Sequence, residues 1–441
     1  MLTYTLTELP LPSGVGVDSS SSAEDVNADG VATGYVFDTA HLGVAFEAAI
    51  WPDDGTNPEI LDDPPPETLG WAINDLGDAV GLFGLTYPVH AFLYRHATGQ
   101  VEDLGPQLGG PENSANDINN NGVITGGAGG IATQRPLIYD SNDGSLTMLD
   151  PLPGHAMAGG DGINDIGHVV GISENADWED DRAFIYRDGN MEDLGPAVFV
   201  TGVNNADVVT GTAPIPGDTT PWPPPWSAFR LDTSVPDPTP ELLGHSQAPG
   251  FTASHGYSIN DDGVVVGHSF DASESFRAFV DIPSGEDAGF HDLEDVVVEA
   301  DGWVFEEATG ISNTGYIVGT GKYQGQERAY LLTPAPDYWL KKEFEKVREA
   351  LLELLLMFGG ATRGGQGWGL LPGGKWVPIP PHSPAKERWE KMTEAERDMF
   401  LGFAIQHLNS ILSGRERGEI VQRAGRQIVD SAIAELESKS Q

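Results

Sequence analysis

The chain contains no cysteine, which excludes disulfides and thiolate metal centres. It is also short of basic residues over most of its length. Residues 1–335 hold eight of the 23 lysines and arginines, with Lys322 the one lysine, but 52 of the 67 aspartates and glutamates. The formal charge of −44 is carried entirely there, because residues 336–441 hold 15 basic and 15 acidic residues and are neutral. A surface of that sign repels nucleic acid and anionic membrane and attracts cations, so nucleic-acid binding by residues 1–335 is not expected. Two readings of the acidity stay open: adaptation to high salt, against which the neutral tail argues, and an ordinary acidic surface. Long apolar runs are missing too. The longest, around residues 351–358, is interrupted by Glu353 and is too short to span a bilayer. The first residues, Met1-Leu2-Thr3-Tyr4, show no basic segment followed by an apolar run. The expectation is a soluble, cytoplasmic chain, or an extracellular one if a leader has been removed.

What is present is repetition. The form apolar–Asn–polar–x–Gly–x–Val–x–Gly recurs with drift seven times, opening at Val26-Asn27, Ile73-Asn74, Ile118-Asn119, Ile163-Asn164, Val203-Asn204, Ile259-Asn260 and Ile311-Ser312. Successive copies start 40 to 56 residues apart, the period of a four-stranded propeller blade. The Asn-Asp-x-Gly core reads as a tight hairpin turn, since Asn and Asp tolerate left-handed backbone and Gly takes positive φ freely. The fifth copy puts Asp207 where the others put Gly. A third strand follows in most units, as in Ala91-Phe92-Leu93, Ala183-Phe184-Ile185 and Ala278-Phe279-Val280, and a fourth ends in Asp-Leu-Gly-like segments such as Asp103-Leu104-Gly105. The seventh unit stops after its third strand, at Pro334. Tyr4–Pro12 is similar to Ser145–Pro153, the fourth strand of the third unit. The N-terminal strand is therefore expected to complete the last blade, giving an all-β seven-bladed β-propeller over residues 1–335. A stacked solenoid of the same units is the competing architecture.

By these motifs the first domain resembles the HAF-repeat family, named for a His-Ala-Phe third strand seen here as His90-Ala91-Phe92. The resemblance implies the propeller fold. It supplies no catalytic residues, and its exported members contrast with the N-terminus of this chain.

The loops between second and third strands vary most, and variable loops on a rigid scaffold are where binding usually resides. They carry Tyr87, Trp178, Trp222, Trp226 and Phe270, candidates for contact with a protein or glycan partner. Pro221-Trp222-Pro223-Pro224-Pro225-Trp226 would present a preordered docking segment. The competing account has these rings merely packing long loops. On the tight turns, Asp25, Asn27 and Asp29, and likewise Asp117, Asn119 and Asn121, stand at alternate positions before glycine, an oxygen pattern that suits calcium. Ordinary turn chemistry explains the same residues. Catalysis has three weak candidates, His155, His245 and His255; no nucleophile elbow, paired-histidine metal motif or phosphate loop accompanies them.

After Pro334 the pattern turns helical. Leu340, Phe344, Val347, Leu351, Leu354 and Phe358 are spaced four and three apart, a seam that suits a docking face or homo-oligomerisation through a helix at 337–358. A Gly/Pro-rich linker is expected at about 359–384, and further helices after a capping box at Thr393–Glu396. Residues 336–441 are thus expected to form a small α-helical domain. The function that fits is a non-enzymatic interaction scaffold with a helical module for assembly or docking. The alternative is a propeller enzyme, a lyase or hydrolase, acting in the central channel.

Overall fold

A computed structural model describes residues 2–335 with breaks at 17, 39–44, 62–66, 85–88, 131, 178–179, 198, 216–225 and 286, together with 367–371 and 375–379. The chain divides into two units, Met1–Ala335 and Pro336–Gln441. The first is a seven-bladed β-propeller. Six four-stranded antiparallel sheets occupy residues 20–60, 68–103, 112–148, 157–196, 199–244 and 251–292, and the seventh combines 303–334 with the N-terminal strand. Within each blade consecutive strands pair in order from the channel outward, and the apolar faces of neighbouring blades form the core.

The repeated glycine and the aromatic of the third strand share one cause. Every innermost strand carries an irregularity before its turn. This pushes a backbone carbonyl over the glycine opposite. A Cβ on Gly81, Gly171, Gly267 or Gly319 would lie 1.9 Å from the carbonyl oxygen of Leu69, Gly159, His255 or Glu307 respectively. No side chain fits there. The space beside the glycine is taken by its cross-strand partner, as in Gly81 with Phe92, Gly171 with Phe184 and Gly319 with Tyr330. In the fifth turn Asp207 adopts φ 58°, the left-handed conformation that glycine takes in the other copies.

The ring closes as the fourth-strand resemblance predicts. Tyr4–Glu8 runs antiparallel to Gln326–Pro334, with Tyr4 opposite Pro334 and Glu8 opposite Tyr330. Beyond the expectation, Val297–Val298 pairs in parallel with Tyr4 and Thr5 on the other edge, so the closing strand is held on both sides. Leu9 is fully buried, and the Trp51 indole of the first blade donates to the Pro10 carbonyl at 2.9 Å.

In the second unit, Gly367–Leu371 and Lys375–Ile379 pair as an antiparallel hairpin. Both strands lie within the stretch expected as a Gly/Pro-rich linker at about 359–384. The expected helices at 337–358 and after Thr393 lie outside the described residues. No helix among the described residues is long and apolar enough to cross a membrane.

Candidate functional site

The two faces of the propeller differ in how their polar groups are satisfied. On the turn face the repeated asparagines form a hoop. Each is 3–5% exposed, and its Oδ1 accepts backbone N–H groups of its own turn, as Asn119 does from Asn121 and Val123 at 3.0 Å. Its Nδ2 donates to the carbonyl of the corresponding residue one blade on. The links run Asn27 to Asn74, Asn74 to Asn119, Asn119 to Asn164, Asn164 to Asn204, Asn204 to Asn260 and Asn260 to Ser312, at 2.8–3.2 Å. Ser312 lacks an amide, and the circuit is completed nearby by the Thr314 hydroxyl, which donates to the Ala28 carbonyl at 2.7 Å.

The next residue of each turn builds a second ring. The N–H of Ala28 donates to Asp75, that of Asp75 to Asn120, and so on through Asp165, Asn205, Asp261 and Asn313. Asp and Asn alternate, so no two carboxylates are neighbours; Asn120 donates to both Asp75 and Asp165, and Asn205 to both Asp165 and Asp261. Seven positions cannot alternate around a circle, and the odd one is Ala28.

Five of the six residues read as calcium ligands belong to this network. Asp25 accepts from the backbone N–H of Val26 and of Ile73 in the next blade, and Asp117 does the same with Ile118 and Ile163. Asn27 and Asn119 are hoop members. Asn121 donates to the Asp165 carbonyl, and Asp29 is an exposed turn residue. Among the described residues no three His, Asp or Glu side chains are placed to hold a metal ion. The spacing that suggested calcium is the spacing that links blade to blade.

Inside the hoop lies the channel, with a cavity of about 250 Å³. One level is lined by Glu24, Trp71, Asn116, Asp161, Thr201, Tyr257 and Thr309, one residue from each blade. Burial pushes Asp161 up to about 7. Burial also pushes Glu24 up to about 7, opposed by the Ser22 hydroxyl and reinforced by the charge of Glu307.

Toward the loop face the channel wall becomes lopsided. Blades 5 and 6 supply aromatics. His255 stacks on Phe270 at 4.8 Å and 13°, meets Trp226 at 5.5 Å and Phe199 at 5.9 Å, and shares a hydrogen bond with the Thr212 hydroxyl at 2.8 Å. Phe199 is 52% exposed. Opposite His255 on the next strand is His268, 3% exposed and packed against Tyr257, Phe270 and Phe276. Blades 7 and 1 supply glutamates. The charge of Glu307 reaches Glu24, and burial, then the charges of Glu306 and Glu327, holds Glu307 above the usual carboxylate range. Lys322 pairs with Glu306. His268 Nδ1 lies 3.6 Å from Glu307 Oε1, and neither of its ring nitrogens has a hydrogen-bond partner.

Of the candidate binding residues, Trp226 and Phe270 meet in this cluster, while Tyr87, Trp178 and Trp222 lie outside the described residues. Trp226 and Phe270 are strand-end residues rather than loop residues, because Trp226–Asp232 and Val265–Asp271 extend further toward that face than the pattern indicated. Of the three histidines, His255 is central to the cluster. His155 instead faces Asp180 at 3.8 Å, and His245 bonds the neighbouring Ser246 carbonyl. Sequence reasoning missed His268, Glu307, Glu24, Tyr257 and Phe199. Each occupies an innermost or second strand, where inward alternation was available as a signal.

No family model matches the chain, and no curated protein matches it. Solved structures do. The β-propeller domain of the trilobed protease from Pyrococcus furiosus is similar at 10% identity and a TM-score of 0.49, over 71% of this chain and 93% of that one. An oligogalacturonate lyase in complex with manganese is similar at 13% identity and a TM-score of 0.46, over 77% of this chain and 98% of that one. The acylaminoacyl peptidase of Pyrococcus horikoshii is similar at 9% identity and a TM-score of 0.47, over 73% of this chain and 52% of that one. At these identities the likeness is one of fold alone.

Proposed function

We propose that the propeller is a non-enzymatic interaction scaffold of the HAF-repeat type that engages a partner protein through its loop face, at the aromatic cluster of blades 5 and 6. The observation that carries this reading is Phe199, a large ring 52% exposed on a ring cluster otherwise packed at its back. Aromatic anchors set in a rigid surface are the usual energetic centre of an interface. The turn face supports the reading from the other side, because its amides and side chains bond one another around the hoop. The histidines fit a packing role better than proton transfer: burial lowers His255 to about 4, and burial with the charge of His255 lowers His268 to about 3, both far from the value a general base needs near neutrality.

The test is affinity capture with the intact protein, comparing wild type with Phe199→Ser and with Asp75→Ala on the turn face. The reading expects a partner retained by wild type and by Asp75→Ala and lost with Phe199→Ser. Capture that survives Phe199→Ser and fails with Asp75→Ala would place the contact on the wrong face.

A further inference from the structure

We propose that the loop-side mouth of the channel, between the aromatic wall of blades 5 and 6 and the glutamate wall of blades 7 and 1, binds a planar organic cation, an alkylguanidinium. This rests on the loop-face reading above and names the chemistry that face would take. The first support is charge. Each of the eight basic side chains of the propeller already lies within ion-pair distance of a carboxylate. At the mouth, Lys322 engages Glu306, while among the described residues the oxygens of Glu24 receive only the Ser22 hydroxyl, at 2.6 Å. The second support is His268. A side chain 3% exposed with two unbonded ring nitrogens carries a desolvation cost that native structures rarely leave uncompensated. It is directed at Glu307 across 3.6 Å, too far for a hydrogen bond. A guanidinium fork donating to Glu307 Oε1 and to the neighbouring Nδ1 of a neutral His268 would give the carboxylate and that ring nitrogen a partner together.

The aromatic half selects the kind of cation. Guanidinium is flat, weakly hydrated, stacks on ring faces and offers a fork of donors to carboxylates. The Tyr257 ring, close enough to Glu24 and Glu307 to feel both charges, with the His255 and Trp226 rings in the same wall, suits that combination better than a hydrated ammonium. A metal ion is disfavoured because no three His, Asp or Glu side chains among the described residues are placed to hold one. A neutral sugar would use the rings and leave the glutamates repelling one another. The guanidinium could belong to a free small molecule or to an arginine side chain of a partner.

Calorimetric titration of the intact protein at low salt tests this with three probes: butylguanidinium, its neutral isostere butylurea, and a peptide with one central arginine. The cation should bind saturably and about tenfold or more tighter than butylurea. Its affinity should rise from about pH 6 to about pH 8 as the glutamates ionise. Glu307→Gln should weaken it about tenfold with the melting curve retained, and Glu24→Gln is the second variant should the first not fold. A peptide that binds well above butylguanidinium identifies a side-chain source; equal binding identifies a free ligand. Equal binding of cation and urea, absence of saturation at millimolar cation, or affinity unchanged in both glutamine variants would overturn the proposal. If the cation fails while Phe199→Ser still abolishes partner capture, the cation site falls and the scaffold reading stands.

Discussion

The Nδ2 group of Asn27 donates to the main-chain carbonyl of Asn74 at 3.2 Å, joining blade 1 to blade 2 at the edge of the channel. Five further links of the same kind follow around the ring. The turn asparagine therefore shapes its own hairpin and ties it to the next.

Asn119→Ala removes three of these bonds at once, two into its own turn and one to the Asn164 carbonyl at 2.8 Å. It leaves buried backbone groups unmatched, so the expected loss is about 2–4 kcal/mol. Urea denaturation measures it. Asn119→Asp should not restore the inter-blade link, because a carboxylate has no donor.

At Ala28 the second ring lacks an acceptor for the Asn313 N–H. Ala28→Asn supplies one without setting a carboxylate beside Asp75. The expected gain is about 1 kcal/mol, read as an increase in Tm.

Deleting Met1–Pro12 uncovers the edge of Gln326–Pro334 and leaves the Trp51 indole without the Pro10 carbonyl. Loss of the closing strand should lower Tm substantially and promote association through the bare edge. A synthetic peptide of residues 1–12 added in trans should raise Tm again, which loss of an ordinary free terminus would not allow.

Stability should fall off on both sides of mild acidity. His255 and His268 have folded values lowered to about 4 and about 3. Their contribution is present above the ordinary histidine value and is lost as pH falls through that range. Glu24 and Asp161 are raised to about 7, so theirs is present below the ordinary carboxylate range and is lost as pH rises through about 7. His268→Phe should flatten the acid limb of a Tm–pH profile, and Glu24→Gln the alkaline limb.

The fold was legible because the features that make it are local. A left-handed turn needs Asn and Gly, and a carbonyl pressed onto the second strand permits only Gly, so the requirement recurs in the sequence wherever the blade recurs. Strand Tyr4–Glu8 was legible through its likeness to another fourth strand. The site was less so. His268 and Glu307 meet only because blade 6 packs on blade 7; strand alternation marks each residue as inward, but nothing in either stretch pairs the two. The turn oxygens read two ways for a physical reason: three oxygen side chains at alternate positions suit a hard cation and suit backbone amides equally well. The Asp/Asn alternation of the second ring spans six copies of the repeat, and its purpose is visible only once those copies stand in a circle.

Seven blades form one closed ring whose turn face is bonded to itself. Native-state hydrogen exchange of the intact protein tests it most directly. The amides of Tyr4–Glu8 and of the asparagine turns in every blade should exchange together, with the free energy of global unfolding. Exchange of Tyr4–Glu8 and the seventh blade through a separate, lower-energy opening, with the other blades still protected, would contradict it.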